Sequence, residues 1–389
     1  MLKMAIGQTE EMDGGFAAAD VLAQCADSLG GIKPQAGLLL ASHDLECESF
    51  LNAVMDTYPD LELIGCTTIA PMSSVSAYEE GSTTLTLFAS DVLDFNAGVG
   101  TNSRDDVAAA ARIAVEAAVG KSEKGPALVI STPTVEQMDP AIVPQAIGEV
   151  LGSSVPVFGG GAVPDLPLSV PWEGALQFHG RDVLSNSLPV IVVSGPLRIS
   201  VGVSHGWKPV GKPAVVTKSD GFTIHEIDGE PILDFYQRYL GEGTEQAATA
   251  NPLAMLDEAT GRYYLRAPLA YDTETGSASF FGSIPEGTTV RLAMTTTEDI
   301  LDGTDASIAS ALESFPAGAE PEAVLVASCA VRNFLLGTRS KGEIERIVAN
   351  VGPDLPVSGF YAFGEIAPLD AGETPRFHNE TCVTVLLGT

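Results

Sequence analysis

One pattern constrains this chain more than any other: a β-α-β-α-β-loop-β unit recurs three times in the same order. Three apolar strands end in Ser: Gly37-Leu-Leu-Leu-Ala-Ser42, Ala127-Leu-Val-Ile-Ser131 and Ala323-Val-Leu-Val-Ala-Ser328. Three shorter strands end in Gly: Leu61-Glu-Leu-Ile-Gly65, Val155-Pro-Val-Phe-Gly159 and Leu355-Pro-Val-Ser-Gly359. Each of these enters a loop closed by a proline, at Pro71, Pro164 and Pro368. A last apolar strand closes each unit, over 83–89, 190–195 and 382–387. The same signals in the same order indicate duplication.

The pattern predicts Ala-rich helices over 15–29, 105–119 and 305–315, with Asp105 and Asp305 placed to help two of them start. A second helix is expected over 47–57, 140–151 and 341–351. Leading strands are expected at 4–9, 95–101, 199–205 and 292–297, with units starting near 3, 95 and 291. Strands apolar on both faces belong in sheets covered by helices. The fold class is therefore α/β: repeated β-α-β-α-β-β units in mixed sheets flanked by helices. The helical connections favour parallel pairing, with the last strand of each unit antiparallel.

The third copy is interrupted by a different segment, about 209–288. Its Asp220-Gly221 and Asp228-Gly229 pairs read as tight hairpin turns. A helix should start near Pro231, and 241–251 reads as a polar linker. The insertion is a small α+β element. A division near residue 200 gives two domains, 1–198 with two units and 199–389 with one unit plus the insertion.

At 389 residues the chain is long enough for more than one core. No run of about eighteen apolar residues occurs, and the N-terminus lacks the apolar core of a signal peptide. A cytoplasmic location is expected. The formal net charge of −31 repels phosphates and anionic lipid, so nucleic acid and membrane are excluded as partners. The five cysteines are scattered without a CxxC, which suggests neither zinc nor disulfides.

Candidate chemistry concentrates in the C-terminal run from Leu355 to Pro368 and in Arg376-Phe-His-Asn-Glu-Thr381. Gly364 permits positive φ or close approach of a ligand. Glu365 and His378 suit acid–base work, but GxSxG and triad spacings are absent. Gly159-Gly-Gly161 follows a strand and reads as a phosphate cradle or a sharp turn; no GxGxxG is present. The histidines His43, His179, His205, His225 and His378 form no HxxxH pair. His205 and His378, in strand-end loops, are the best ligand candidates. Trp207 reads equally as a pocket wall or as a plug between domains.

These residues resemble the FIST family. The resemblance runs through Leu63-Ile-Gly-Cys-Thr-Thr68, Tyr78 and Gly81-Ser82. It continues through His205-Gly-Trp-Lys-Pro209, Val216-Thr217, Glu226-Ile-Asp-Gly229 and the Gly364-Glu-Ile-Ala-Pro368…Phe377-His-Asn-Glu-Thr381 ending. It departs at Ile69-Ala-Pro71, where the family usually has a Gly-Glu-like turn. The resemblance implies an intracellular sensory module that binds a small polar ligand, an amino acid being one proposal. It implies no effector domain within the matched chain, so the signal passes to a separate protein such as a histidine kinase or diguanylate cyclase. Haem-binding nitric oxide sensors among its relatives make haem, on His205 or His378, the alternative. An enzyme using Glu365 and His378 is the third reading. The expected ligand-binding set is Cys66, Thr67, His205, Trp207, Gly364, Glu365, Arg376, His378 and Asn379. Of these, Arg376 is expected to grip a carboxylate and Glu365 an ammonium group.

Overall fold

The computed structural model describes residues 1–389 except 153, 166–173, 242–249, 257–260, 262 and 371. The first unit runs β1 (Leu2–Thr9), α1 (Gly14–Leu29), β2 (Ala36–Ala41), α2 (Cys47–Thr57), β3 (Glu62–Thr67), β4 (Pro71–Ser73), β5 (Ala77–Tyr78) and β6 (Thr83–Ser90). The second runs β7 (Asp94–Thr101), α3 (Val107–Val119), β8 (Pro126–Ser131), α4 (Ile142–Leu151), β9 (Val157–Gly160), β10 (Gln177–His179), β11 (Asp182–Leu184) and β12 (Ser187–Ser194). The third opens with β13 (Arg198–Ser204).

The insertion follows with β14 (Lys208–Asp220), β15 (Thr223–Ile227), β16 (Glu230–Pro231), α5 (Ile232–Leu240), β17 (Leu253–Leu256), β18 (Tyr263–Arg266), β19 (Pro268–Asp272), β20 (Ser277–Phe280) and β21 (Thr289–Met294). The third unit then resumes with α6 (Thr297–Ser314), β22 (Ala323–Cys329), α7 (Ala330–Leu336), α8 (Lys341–Val351), β23 (Val357–Ala362), β24 (Glu365–Ala367), β25 (Arg376–His378) and β26 (Cys382–Gly388).

Each unit builds the same sheet, in the order first, last, second, third: β1-β6-β2-β3, β7-β12-β8-β9 and β13-β26-β22-β23. The second and third strands pair in parallel. The last strand is antiparallel to both neighbours. The third strand would leave an open edge, and a hairpin from another unit covers it. Hairpin β4–β5 of the first unit joins β23 of the third. Hairpin β24–β25 of the third joins β9 of the second. Hairpin β10–β11 of the second joins β3 of the first, which closes the cycle.

One face of every sheet turns inward. Ile6, Leu40 and Phe88 of the first meet Phe95, Ile130 and Phe158 of the second and Leu325, Phe360 and Val385 of the third in one central cluster. The outer faces are covered by helices in three separate clusters. Burial on both faces is why these strands carry almost no polar alternation. Where the strands leave the core, the crossing loops bond to one another. Gly161 N–H donates to Gly364 O at 3.0 Å, and Phe363 N–H donates to Gly161 O at 3.0 Å. Thr68 Oγ1 donates to Tyr361 O at 2.6 Å.

Gly159-Gly-Gly161 is packed into this crossing. A Cβ would lie 1.8 Å from Ser131 O at Gly159 and 2.4 Å from Ala362 Cβ at Gly160. Such contacts leave no room for a phosphate and account for all three glycines by close packing.

Several sequence expectations are corrected. The third unit starts at β13, near 198; β21 pairs with β14 and β17 in the insertion's own sheet. The helix expected at 305 starts at Thr297, capped by Thr296, whose Oγ1 accepts from Asp299 N–H at 3.1 Å. Asp305 therefore sits inside the helix. The cap of α3 is Asp106, not Asp105. Both Asp-Gly turns of the insertion form, and Asp228 and Gly229 both take positive φ. The stretch read as a linker, 241–251, lies mostly outside the described residues. All five cysteines are free and buried.

Candidate functional site

The site is built where three parts of the chain meet: the end of β13, the hairpin β24–β25 and the insertion strand β18. A cavity of about 400 Å³ opens there, and His205, Trp207, Tyr264, Asp370, His378 and Thr381 are in its wall. The loop after β13 is held tightly. Gly206 has φ +100°, and a Cβ on it would sit 2.1 Å from Asp299 O of α6. Only glycine fits that position. Trp207 is buried, and its Nε1 donates to Ala250 O at 3.0 Å. It packs with Leu265, Ala293, Ile300 and Leu336, so it is both cavity wall and plug between insertion and unit.

The two imidazoles carry fixed tautomers. Trp207 N–H donates to His205 Nδ1 at 3.0 Å, so that nitrogen bears no proton. His378 Nε2 lies 2.9 Å from Ala367 O, which can only accept, so Nε2 carries the proton. Burial, aided by Arg332, pushes His205 down to about 4. Burial also pushes His378 down to about 4, although its bond to Ala367 opposes the change. Both rings are thus neutral at pH 7. The nitrogens left for a ligand are a donor, His205 Nε2–H, and an acceptor, His378 Nδ1.

Behind this wall lies a buried polar network. Arg332, at the start of α7, is fully buried and paired with Glu343 of α8 at 2.5 Å. Its Nη1 donates to His205 O at 2.6 Å, which anchors the cavity loop. Its Nη2 donates to Ile300 O and Thr304 Oγ1, and its Nε to Ser328 Oγ. Glu343 accepts in turn from Thr304, Ser328 and Tyr361 hydroxyls. Burial disfavours the guanidinium charge, but the Glu343 carboxylate outweighs it and holds Arg332 above its ordinary value.

Two further carboxyls are buried nearby. Glu365 Oε2 accepts from Thr381 N–H at 3.1 Å and Thr381 Oγ1 at 2.6 Å, while Oε1 has no hydrogen-bond partner among the described residues. Burial pushes Glu365 up to about 8, against the pull of the Thr381 bonds. Among the described residues neither carboxyl oxygen of Glu380 has a hydrogen-bond partner, and burial plus repulsion from Glu365 holds it well above the carboxylate range. Its backbone is left-handed, with φ +62°, a conformation costly for a residue with a Cβ.

The expected ligand set is thus divided. His205, Trp207 and His378 share the cavity. Arg376 stands in an adjoining cavity, which His378 and Tyr264 also line. Glu365 is the cross-strand partner of His378 but lies behind Thr381, outside the cavity wall. Asn379 is buried; its Oδ1 accepts from Ala267 N–H and its Nδ2 donates to His378 O, which ties insertion to hairpin. Gly364 takes φ +81°, and the space a Cβ would need is filled by the Phe377 ring, 2.0 Å away. Cys66 faces the central cluster, and Thr67 Oγ1 donates to Val163 O at 2.7 Å, both away from this cavity.

Arg332, Glu343, Glu380, Arg266 and Asp370 are absent from the sequence-derived set. A signal existed for Arg332: a lone charge inside Ala330-Val-Arg-Asn-Phe-Leu-Leu336. Glu380 stood inside the quoted C-terminal motif.

Comparison with known proteins gives relatives of uncharacterised role. A Mycobacterium bovis protein is 26% identical over 397 residues, spanning 95% of both chains. A Mycobacterium tuberculosis protein is 28% identical over 205 residues, 49% of this chain and 52% of that one. The chain thus spans about half the length of that relative. Among solved structures, a cyanuric acid hydrolase from A. caulinodans aligns over 100% of both chains at 10% identity with a TM-score of 0.34. At that score neither fold nor chemistry carries across. No helix of the described residues is long and apolar enough to cross a membrane. The FIST N domain matches residues 35–230 and the FIST C domain matches 233–368, so the chain belongs to the FIST family, whose domains are sensory domains of signal-transduction proteins.

Proposed function

We propose that this chain senses a small polar molecule bound in the His205–His378 cavity. The observation that carries the reading is the pair of neutral, tautomer-locked imidazoles facing one cavity from separate elements. A donor and an acceptor at fixed places recognise a ligand that offers the complementary pair, as an amide, a carboxylic acid or an amino acid does. Trp207 and Tyr264 add flat apolar wall. A histidine kinase or diguanylate cyclase on a separate chain is the proposed recipient of the signal.

Haem is the weaker reading. His378 Nδ1 is a nitrogen an iron could take, but a porphyrin needs broad apolar faces. This cavity is lined by Ser204, Ser310, Asp370 and Thr381 among others, and that lining does not fit it. An acid–base role for Glu365 with His378 requires both on one cavity, and Glu365 is outside it.

Native mass spectrometry of protein from its own source identifies the captured molecule. Calorimetry with that molecule then compares wild type with His205→Ala and His378→Ala. Each lost hydrogen bond is worth about 0.5–1.5 kcal/mol, so each variant weakens binding about two- to tenfold. Unchanged affinity in both variants overturns the reading.

A further inference from the structure

The three unit sheets cannot move apart without breaking strand ladders. They share the central cluster around Ile6, Phe95 and Leu325, and each borrows a hairpin from a neighbour. The insertion is held differently. Among the described residues its strands, β14 to β21, pair only with one another. They enclose a core of their own, with Val216, Ile224, Phe235, Tyr236, Leu253 and Leu292.

Both tethers of the insertion start at one place. Lys208 and Met294 are cross-strand partners, so the chain enters and leaves side by side. Next to that pair, both tethers are fixed to α6. A Cβ on Gly206 would lie 2.1 Å from Asp299 O, and Thr296 is the cap of α6. A pivot therefore falls at 207–208 and 294–295, the geometry of a two-strand hinge. Trp207 stands at this pivot, its N–H bonded to His205 and its indole to Ala250 O of the insertion.

Away from the pivot, side chains hold the insertion to the body. Ala267 N–H donates to Asn379 Oδ1 at 3.2 Å, Arg266 Nη1 to Phe377 O at 3.1 Å and Ser283 N–H to Asp139 Oδ1 at 3.3 Å. The rings of Phe281 and Phe363 meet edge to face, with centroids 5.6 Å apart. The insertion adds Ala254, Ala267 and Ala293 to this seam, beside Leu265. Alanines bury little apolar area. Such a seam separates without breaking a ladder, and interfaces of this kind permit relative motion within a chain. The cavity straddles it: Tyr263, Tyr264 and Leu265 belong to the insertion, and His205, His378 and Thr381 to the body.

We propose that the insertion is a hinged lid over the His205–His378 cavity, with Asn379 as its latch. Asn379 is 1% exposed; its Oδ1 takes Ala267 N–H of the lid while its Nδ2 holds His378 O of the body. Swinging out carries Tyr263, Tyr264 and Leu265 away from both imidazoles. What the lid does rests on the sensory reading above: a molecule that touches both walls binds the closed form better and shifts the balance towards it. That the lid moves does not rest on that reading.

The test needs no ligand. Pulsed dipolar spectroscopy is run on the full chain with nitroxides at two exposed positions, Glu274→Cys on the insertion and Glu313→Cys on α6. The five native cysteines are buried, so the labels go to the introduced thiols. Control pairs stay within one body: Glu274→Cys with Lys218→Cys, and Glu313→Cys with Glu116→Cys. The cross-body pair is expected to give two distances and each control pair one. Asn379→Ala removes one hydrogen bond across the seam and should move the closed-to-open ratio about two- to tenfold towards open. Phe281→Leu removes the ring contact from the lid side and should move it the same way; it decides if the Asn379 variant does not fold. A cross-body distance that stays single and as narrow as the controls in wild type and variants overturns the lid. Two distances whose ratio Asn379→Ala leaves unchanged overturn the latch. The calorimetry described above is read separately. If His205→Ala and His378→Ala both leave binding unchanged while the cross-body distances behave as stated, the lid stands and the sensory reading falls. If those variants weaken binding and the cross-body distance is single throughout, the sensory reading stands and the lid falls.

Discussion

Replacing Glu365 by Gln tests whether the core stores a proton. Glu365 has an ordinary value of 4.5 and is held near 8 in the folded protein by burial. In the unfolded chain it is ionised above pH 4.5; in the folded chain it stays neutral until about pH 8. The folded state therefore binds the extra proton, and stability falls as pH rises through that window. The slope for one such group is about 1.4 kcal/mol per pH unit. Glu380, raised in the same direction, adds a slope of the same sign.

The buried histidines act with opposite sign over a window that overlaps only the lower part of this one. His205 and His378, held near 4 against an ordinary 6.5, make stability fall as pH drops from 6.5 towards 4. Between pH 6.5 and 8 both are neutral in the folded protein, and the unfolded imidazoles lose their remaining protons; wild type and a Glu365 variant share that contribution, so the difference between their slopes isolates Glu365. Wild type should lose about 2 kcal/mol or more of unfolding free energy across this interval, by denaturant titration. Glu365→Gln keeps an oxygen for the Thr381 bonds and cannot ionise, so the slope should drop by about half. The comparison rests on slope, because the new amide N–H groups bring their own burial cost of about 1–3 kcal/mol. An unchanged slope between pH 6.5 and 8 in the variant would refute a neutral Glu365.

Two further outcomes are expected. Arg332→Met leaves the Glu343 carboxylate buried without its cation and should cost about 3–5 kcal/mol by denaturant titration. Adding Glu343→Gln should recover part of that loss, and simple additivity of the two would contradict the pairing. Residues 1–198 alone keep the β9 edge without β24–β25 and the β4–β5 hairpin without β23. That half should aggregate, and mixing with 199–389 should restore a cooperative melt; a monomeric, cooperatively melting 1–198 would oppose this.

The repeat was legible because its strands are buried on both faces and end in Ser or Gly, so local composition carries the topology. The exchange of hairpins was not. β4, β10 and β24 are three residues each, and their partners lie in other units, so no local pattern announces them. The start of α6 was readable at Thr296-Thr-Glu-Asp299, a cap followed by acids, yet the Ala-rich run after Asp305 drew the boundary inwards. In the site, His205 and His378 were marked by their loops. Arg332 and Arg266 were hidden, because burial of a charge depends on partners distant in sequence. Glu365 kept its place in the motif, but its role as an ammonium acceptor assumed exposure that the closed hairpin removes.

The cyclic exchange also bears on how binding can be felt elsewhere. His205 follows β13 of the third unit's sheet, whereas His378 lies on β25, which extends the second unit's sheet. Tyr264 belongs to the insertion. A ligand that touches all three therefore bridges two sheets that share the central core and the insertion that packs on them through Trp207 and Asn379. Ligand binding shifts an equilibrium only by its difference in affinity between states. Here that difference has a structural origin: contacts to His205 and His378 are both made only when hairpin and β13 keep their mutual distance. Arg332 extends the constraint, since it bonds His205 O and Glu380 O and pairs with Glu343 on α8. Helix α8 packs on the outer face of the third sheet, beside the first unit's β5. A change at the cavity thus reaches helix α8 through the buried Arg332–Glu343 pair.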